Sequence, residues 1–369
     1  MTTPPRTYRA VLAGTGSIAD AHVRAVEATR GRVQLVAAAD LDAQRVRDFG
    51  IRFHVRETFT DYGAMLQAVQ PDLVIVATPP GQHAAMSIAA MRAGAWVWCE
   101  KPLCGSLAEA DAIAAAEAET GRYTACVFQM RFASSTAHLR DLAGSGQLGR
   151  PLVAVCNTLW FRDSAYYSAP WRGTWAELGG PTMGLGIHGM DHLLHLLGDW
   201  VEVRAIAGTL DREIEVEDVS MALVTFANRA LASIVNSALS PRQETYLRLD
   251  YQKATVELTH LYGYTRDNWR LTLAPGAQDD GLLQAWQRFP PDVGSTHGAQ
   301  LAALVSDMDE GRRPLTSGAE ARRTVELLTA IYKSAFTGET VRAGSIVPGD
   351  RFYTSIHAGL NRIARPASG

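Results

Sequence analysis

Tyr8-Arg-Ala-Val-Leu-Ala13, running into Gly14-Thr15-Gly16-Ser17-Ile18-Ala19, is the stretch on which the reading of this chain turns. A short apolar run meets a glycine turn, and a helical pattern follows from Asp20 to Thr29, which reads as strand, tight turn, helix. In such a unit the first glycine permits the turn and the second lets the backbone come close to a ligand phosphate. The start of the helix then offers unpaired N–H groups and a positive dipole end. Glycine turns also serve plain strand–helix packing, so the neighbouring sequence has to decide.

Working outward, a second apolar run, Val33 to Ala39, ends in Asp40, 24 positions after Gly16. A carboxylate there would accept hydrogen bonds from the adenosine ribose of a dinucleotide and repel a 2′-phosphate. NAD is therefore favoured over NADP, although Arg45 and Arg47 are near enough in sequence to meet a phosphate. A solvated loop carboxylate or a helix cap is the plain alternative for Asp40. Further apolar runs at Leu73–Ala77 and Trp96–Cys99 alternate with helical patterns at 82–93 and 108–119, so a parallel sheet covered on both faces is expected.

Beyond about residue 125 the texture changes. Strand-like runs near 152–161, 201–208, 219–227, 230–239, 245–250, 254–259 and 269–273 lie close together and are separated by turn residues such as Asn228-Arg229. These predict hairpins and a mostly antiparallel sheet. The expected architecture is an α/β Rossmann domain over 1–125 and an α+β domain over 126–369 with a large open sheet. Residues 274–298 read as a long loop. A final helix over about 318–336 carries Val325, Leu328, Ile331 and Tyr332 at helical spacing.

Composition narrows the function classes. Of 369 residues 47% are hydrophobic and 20% charged, with a net charge of −3, which disfavours a disordered chain or a basic nucleic-acid binder. Cys99, Cys104, Cys126 and Cys156 form no CxxC pair, so neither a disulfide framework nor a zinc site is indicated, and reduced thiols in a cytoplasm are expected. The longest charge-free apolar stretch, Leu73 to Met91, is broken by Pro79, Pro80 and Gly81, and the N-terminus shows no signal-like segment; no export and no membrane span are expected.

Four stretches matter jointly: Gly14-Thr-Gly-Ser-Ile18-Ala19-Asp-Ala-His22, Thr78-Pro79-Pro80-Gly-Gln-His83, Cys99-Glu100-Lys101-Pro102, and Gly179-Gly180 running to Gly186-Ile187-His188-Gly-Met-Asp191. In this order and at these separations they resemble the Gfo/Idh/MocA oxidoreductases. Weaker similarity runs through Gly146-Gln-Leu-Gly149, Trp171-Arg-Gly-Thr-Trp175, Glu217-Asp218 and Ser317-Gly-Ala-Glu320 to Thr337-Gly338, so the likeness spans nearly the whole chain. The resemblance implies a nicotinamide held between a Rossmann domain and an antiparallel-sheet domain, with the last helix returning to the first domain. It implies Gly14, Gly16, Ser17 and Ile18 at the pyrophosphate and Asp40 at the adenosine ribose. Thr78, Pro79 and His83 would flank the nicotinamide, and Glu100 and Lys101 would face its ribose and the substrate. Pro102 would shape the turn, through a cis peptide if any X–Pro bond here adopts one.

Lys101 follows an apolar strand, which should bring it to the strand's carboxyl end, where ligands bind in open α/β sheets. A lysine there can hydrogen-bond a reacting oxygen; the plain alternative is an exposed lysine paired with Glu100. The segment 184–197 (GLGIHGMDHLLHLL) reads as helical, with His188, Asp191, His192 and His195 on a polar face that also includes Gly184. Three histidines could ligate a metal, but the Glu of a His-Glu-x-x-His protease is Gly189 here. His192 and His195 read as a solvated or domain-facing stripe, and no metal is expected.

His188 occupies the position of the family's catalytic histidine, and an imidazole titrates near enough to neutrality to take a hydroxyl proton. The family commonly carries an aspartate four residues earlier, where this chain has Gly184. Asp191, Asp163 or Glu177 could supply the charge instead, the vacated space could admit a bulkier substrate, or the chemistry could differ. Trp160, Phe161, Tyr166, Tyr167, Trp171 and Trp175, with Arg162 and Arg172 among them, could form a sugar platform or core packing. By resemblance, Arg131, Trp171, Arg172 and Asp191 would bind substrate, with Gln129 near the cleft.

The function this implies is hydride transfer between a CH–OH group of a sugar, cyclitol or polyol and NAD, in a homodimer or homotetramer. Two alternatives stand beside it: an NAD-dependent glycoside-cleaving enzyme, and a non-catalytic NAD or sugar sensor.

Overall fold

The computed structural model describes residues 6–169, 172–177, 180–276 and 281–360. They divide into two units. One runs through Val127 and adds His297–Arg323; the other is Phe128–Thr296 with the chain from Thr324 onward.

The first unit alternates strand and helix as its apolar runs require. β1 (Tyr8–Ala13), α1 (Ala19–Ala28), β2 (Val33–Ala39), α2 (Ala43–Phe53), β3 (Glu57–Phe59), α3 (Tyr62–Val69), β4 (Leu73–Val76), α4 (His83–Arg92), β5 (Trp96–Cys99), α5 (Leu107–Thr120) and β6 (Thr124–Cys126) follow in order. Their sheet is parallel throughout, in the order β3-β2-β1-β4-β5-β6. β4 and β5 are buried on both faces, so their runs are apolar without alternation. The order reverses between β1 and β4, and the carboxyl ends of those strands form the ligand crevice of this sheet type.

The second unit begins with α6 (Ser134–Gly144) and β7 (Pro151–Phe161), then α7 (Pro181–Gly184), α8 (Ile187–Leu197), β8 (Trp200–Gly208), β9 (Val219–Phe226), β10 (Leu231–Ser237), β11 (Leu239–Tyr251), β12 (Ala254–His260), β13 (Trp269–Leu273) and α9 (Leu282–Gln287). Along the chain α10 (His297–Glu310), which belongs to the first unit, then α11 (Gly318–Thr337) and β14 (Val341–Arg342) follow. The eight strands are ordered β13-β12-β11-β7-β10-β9-β8-β14. All pairs are antiparallel except β7 with β10. Alternating burial along β8 and β9 marks a sheet with one covered and one open face.

Three local expectations change. The unit boundary falls at Val127/Phe128 rather than 125/126, and α10 with the opening turns of α11 returns to the first unit, not the last helix as a whole. Leu301, Leu304, Val305 and Met308 give α10 one apolar stripe, and it packs into the core that holds Val23 and Val26 of α1. The buried Val325, Leu328, Ile331 and Tyr332 of α11 lie past that point, in the second unit. Lastly, the stretch expected as one loop over 274–298 contains α9, anchored by buried Leu282 and Trp286.

Candidate active site

At the first turn the chain leaves β1 through Gly14, whose φ is +91° and where an added Cβ would stand 2.5 Å from the Ala77 carbonyl oxygen. Only glycine meets both conditions. Gly16 differs: nothing among the described residues lies within 4 Å of an added Cβ, so the space beside it is open to a ligand. Ile18 is the N-cap of α1 and makes no side-chain cap, so the helix start faces the turn, with the Ala19 and Ala21 N–H groups bonded to the Gly16 and Ile18 carbonyls at 3.0 Å. Thr15, Gly16, Ser17, Asp20, Arg45, Asp48, Phe49 and Arg52 line a cleft of about 540 Å³ beside it. The open glycine and the uncapped helix end fit a dinucleotide pyrophosphate.

Asp40 ends β2 and is held from both sides. One carboxylate oxygen accepts from the Thr15 N–H and hydroxyl at 2.8 and 2.9 Å, the other from the Asp42 N–H at 3.0 Å and Arg45 Nη1 at 3.1 Å. Burial pushes its pKa up, but the backbone and Thr15 hydrogen bonds with Arg45 outweigh that and bring it below the usual value. Arg45 also reaches Asp42 at 3.0 Å, so its guanidinium is engaged by two carboxylates.

After β4, Thr78 and Pro79 open the next loop. His83, 1% exposed, spans between the carbonyl oxygens of Thr78 and Pro102 at 2.8 and 2.6 Å, bracing two loops against each other. The Lys101–Pro102 peptide is cis. Glu100 and Lys101 stand immediately after β5, as the strand's length requires. Glu100 accepts from His22 Nε2 of α1 at 2.9 Å and lies 3.5 Å from His297 Nε2, the first residue of α10. Desolvation raises the Glu100 pKa, yet the two imidazoles hold the carboxyl well below its ordinary range. Burial lowers the Lys101 ammonium, against the opposing charges of Glu100 and Cys126.

In the second unit, His188 is the second residue of α8 and is 3% exposed. Its ring meets Tyr262 edge-on at 5.8 Å and Phe128 at 6.5 Å, and Tyr262 is tied to Gln129 at 3.1 Å. One turn on, Asp191 forms a two-pronged pair with Arg131, at 2.6 and 2.8 Å, and accepts from Thr324 at 2.9 Å. Arg131 and Asp191 are thus brought together, each about 1% exposed at the side chain. Asp163 accepts the Tyr166 N–H and caps a turn.

The helix expected over 184–197 is interrupted: Gly184 closes α7 and α8 begins at Ile187. Nearly all of α8 is buried, so its polar face is not a solvated one. His192 stacks on Tyr264 at 5.7 Å and meets the Thr136 hydroxyl at 3.0 Å, and burial pulls its pKa down to about 3. His195 instead reaches Arg140 at 3.2 Å. The three histidines of α8 each face different partners.

Trp160 and Trp175 are core residues at 8% and 5% exposure; Trp160 donates to Thr245, and Trp175 stacks on His357. Arg172 lies 4.0 Å over the Tyr166 ring and donates to the Tyr166 carbonyl. Trp171 falls outside the described residues. His22, His297 and Tyr262 were not picked out as site residues from the sequence. His22 stands within the quoted glycine motif, one turn into α1; His297 lay in the expected loop and gave no local signal.

Residues 8–128 match the oxidoreductase family with an NAD-binding Rossmann fold, and residues 136–275 match the GFO/IDH/MocA C-terminal domain. D-apiose dehydrogenase of Paraburkholderia graminis is 27% identical, over 98% of this chain and 96% of its own length. D-glucoside 3-dehydrogenase of Escherichia coli is 26% identical, over 92% and 98%. Among solved structures, the WlbA dehydrogenase from Bordetella pertussis, in complex with NADH and UDP-GlcNAcA, superposes with a TM-score of 0.82 at 27% identity, covering 92% of this chain and 100% of that one.

Proposed function

The chain belongs to the Gfo/Idh/MocA family of oxidoreductases with an NAD-binding Rossmann domain, and from that premise we propose an NAD-dependent dehydrogenase acting on a CH–OH group of a sugar, cyclitol or related polyol. The observation that carries this reading is the succession of Gly14, Gly16, Asp40, Thr78 and Lys101 just past the carboxyl ends of β1, β2, β4 and β5. Gly14, Gly16, Ser17 and Ile18 would hold the pyrophosphate and Asp40 the adenosine ribose; Thr78, Pro79, Glu100 and Lys101 would lie toward the nicotinamide. The bound cofactor supplies the acceptor for the hydrogen and electron pair that leave the carbon.

Oxidation of an alcohol also requires that its hydroxyl proton depart. Lys101 donates a hydrogen bond to the reacting oxygen and polarises it, a task suited to an ammonium whose proton affinity burial has reduced. His188 takes the proton. Arg131 and Asp191 contribute to substrate binding through the rigidity of their pair, and Arg172 through its place over Tyr166. The dehydrogenase relatives acting on apiose and glucosides support a carbohydrate-like substrate.

A homo-oligomer in the cytoplasm completes the reading. It is supported by four buried cysteines that form no disulfide among the described residues and by Ile206, Met221, Leu223 and Leu231, 47–68% exposed on adjacent strands β8, β9 and β10. No described helix is long and apolar enough to cross a membrane. The test is a screen of myo-inositol, D-apiose and methyl D-glucosides with NAD, following NADH absorbance. NADH formation with at least one supports the assignment; tight NADH binding without turnover on any would favour a sensor, and release of a free sugar without net NADH would favour glycoside cleavage.

A further inference from the structure

Glu100 is gripped more elaborately than a ribose contact requires. His22 of α1, 0% exposed at the side chain, hydrogen-bonds Oε1 through Nε2 at 2.9 Å; His297, 12% exposed, brings its own Nε2 to 3.5 Å from the same oxygen, an electrostatic contact outside hydrogen-bond geometry. The two rings meet edge-on at 5.4 Å, and both lie edge-on to Trp98 of β5, at 4.6 and 6.0 Å. The other oxygen, Oε2, accepts the backbone N–H of Lys101 at 3.2 Å. One carboxylate therefore links α1, the start of α10 and the peptide that begins the Lys101–Pro102 corner.

We propose that His297, together with His22, is a positioning residue for Lys101, clamping Glu100 so that its carboxylate fixes the backbone from which the lysine side chain springs. The inference rests on the proposed role of Lys101, but the clamp itself is a property of the first unit alone. The charged and titratable groups facing this corner are Glu100 just after β5, His22 on α1, His297 on α10 and Cys126 on β6. His22 donates from a neutral ring, since burial lowers its proton affinity, and His297 stands beside the same oxygen at 3.5 Å.

The same three side chains have the make-up of a two-histidine, one-carboxylate metal site, with ligand atoms within 4.8 Å of one another. Two features speak for hydrogen bonding instead. A metal-bound histidine donates its second ring nitrogen to an acceptor, yet His22 Nδ1 is buried with no hydrogen-bond partner among the described residues. Its Nε2 already stands at direct hydrogen-bonding distance from the carboxylate.

The test uses the full chain and the variants His297→Ala and His297→Gln, the latter keeping an N–H donor near the reach of Nε2. The chain has three lysines, Lys101, Lys253 and Lys333, so acetic anhydride labelling read by mass spectrometry reports Lys101 against two internal controls. His297→Ala should raise the labelling of Lys101 severalfold relative to Lys253 and Lys333, and His297→Gln should restore it. With a substrate from the screen, His297→Ala should lower kcat by about 10–100-fold, the order expected for a small misplacement of a reacting group, with KM for NAD nearly unchanged.

Unchanged Lys101 labelling in His297→Ala, or a Gln variant as impaired as the Ala variant, overturns the clamp. Zinc raising the Tm of the unmodified protein, and not of His297→Ala, overturns it in favour of a metal site. If no sugar or polyol is turned over by the unmodified chain, the dehydrogenase assignment fails, while the labelling ratio still decides the clamp.

Discussion

Both oxygens of Asp191 are taken by the Arg131 guanidinium, at 2.6 and 2.8 Å, with each side chain about 1% exposed. A buried pair of this kind is worth little net stability compared with apolar residues, but removing one partner strands the other charge. Arg131→Ala or Asp191→Ala should therefore cost about 3–5 kcal/mol of unfolding free energy, and the Arg131→Met/Asp191→Leu double variant much less than the sum. Urea unfolding reads the difference. Single variants within about 1 kcal/mol of the parent, the median worth of an exposed pair, would show the pair to be solvated in solution.

Gly14 and Gly16 should fail differently. Alanine at 14 would adopt a φ of +91° with its Cβ at 2.5 Å from the Ala77 carbonyl oxygen, so the fold itself suffers, by at least about 2 kcal/mol. Alanine at 16 meets nothing within 4 Å among the described residues. Its Tm should stay near the parent's, while NADH affinity, followed by fluorescence quenching, falls by about tenfold or more as the methyl occupies the phosphate approach. Equal losses of stability in both variants would contradict the distinction.

Glu217 offers a pH signature within the second unit. It is buried against Tyr332 and the Thr182 N–H at the head of α7, and desolvation raises its pKa from 4.5 to about 7 in spite of those hydrogen bonds. The folded chain thus binds this proton more tightly than the unfolded one. Its contribution is complete below about pH 4.5 and is lost as pH rises toward 7, by roughly 3 kcal/mol in all. Glu217→Gln, which keeps a neutral hydrogen-bonding group, should flatten that slope in denaturation curves taken across the interval. A slope of the same size in the Gln variant would assign it to other groups.

Gly184, four residues before His188, leaves room for a carboxylate. It has ordinary helical backbone and, among the described residues outside its own helix, no atom within 4 Å of an added Cβ. Gly184→Asp should fold with a Tm within a few degrees of the parent, the spread of a surface substitution. It should also raise kcat or shift the acid limb of the pH–rate profile by supplying a partner charge for an imidazolium. A collapse in stability would mean that the space is closed in solution.

How far the sequence could be read follows from how local each signal is. Gly14, Gly16 and Asp40 lie at strand ends set by uninterrupted apolar runs, so the strand–turn–helix–strand opening of the first sheet was legible from residues 8–40. Burial was less so. The helical plot of 184–197 separated an apolar from a polar side, but α8 is covered all round, and the partners that satisfy its polar groups, Arg131, Thr136 and Thr324, come from other elements. His297 shows the limit most clearly. It joins His22 and Glu100 across 275 and 197 positions of chain, a link no local pattern carries.

The most direct test of the account is NADH formation by the parent chain, Lys101→Met and His188→Asn, each with saturating NAD and the polyol that the screen identifies, alongside NADH binding to each. The account predicts NADH in step with oxidised product for the parent. Both variants should bind NADH with affinity near the parent's but turn over about 10²–10⁴-fold more slowly, the range for loss of a positioned acid or base. Variants as fast as the parent, or a parent that binds no nicotinamide cofactor, would contradict it.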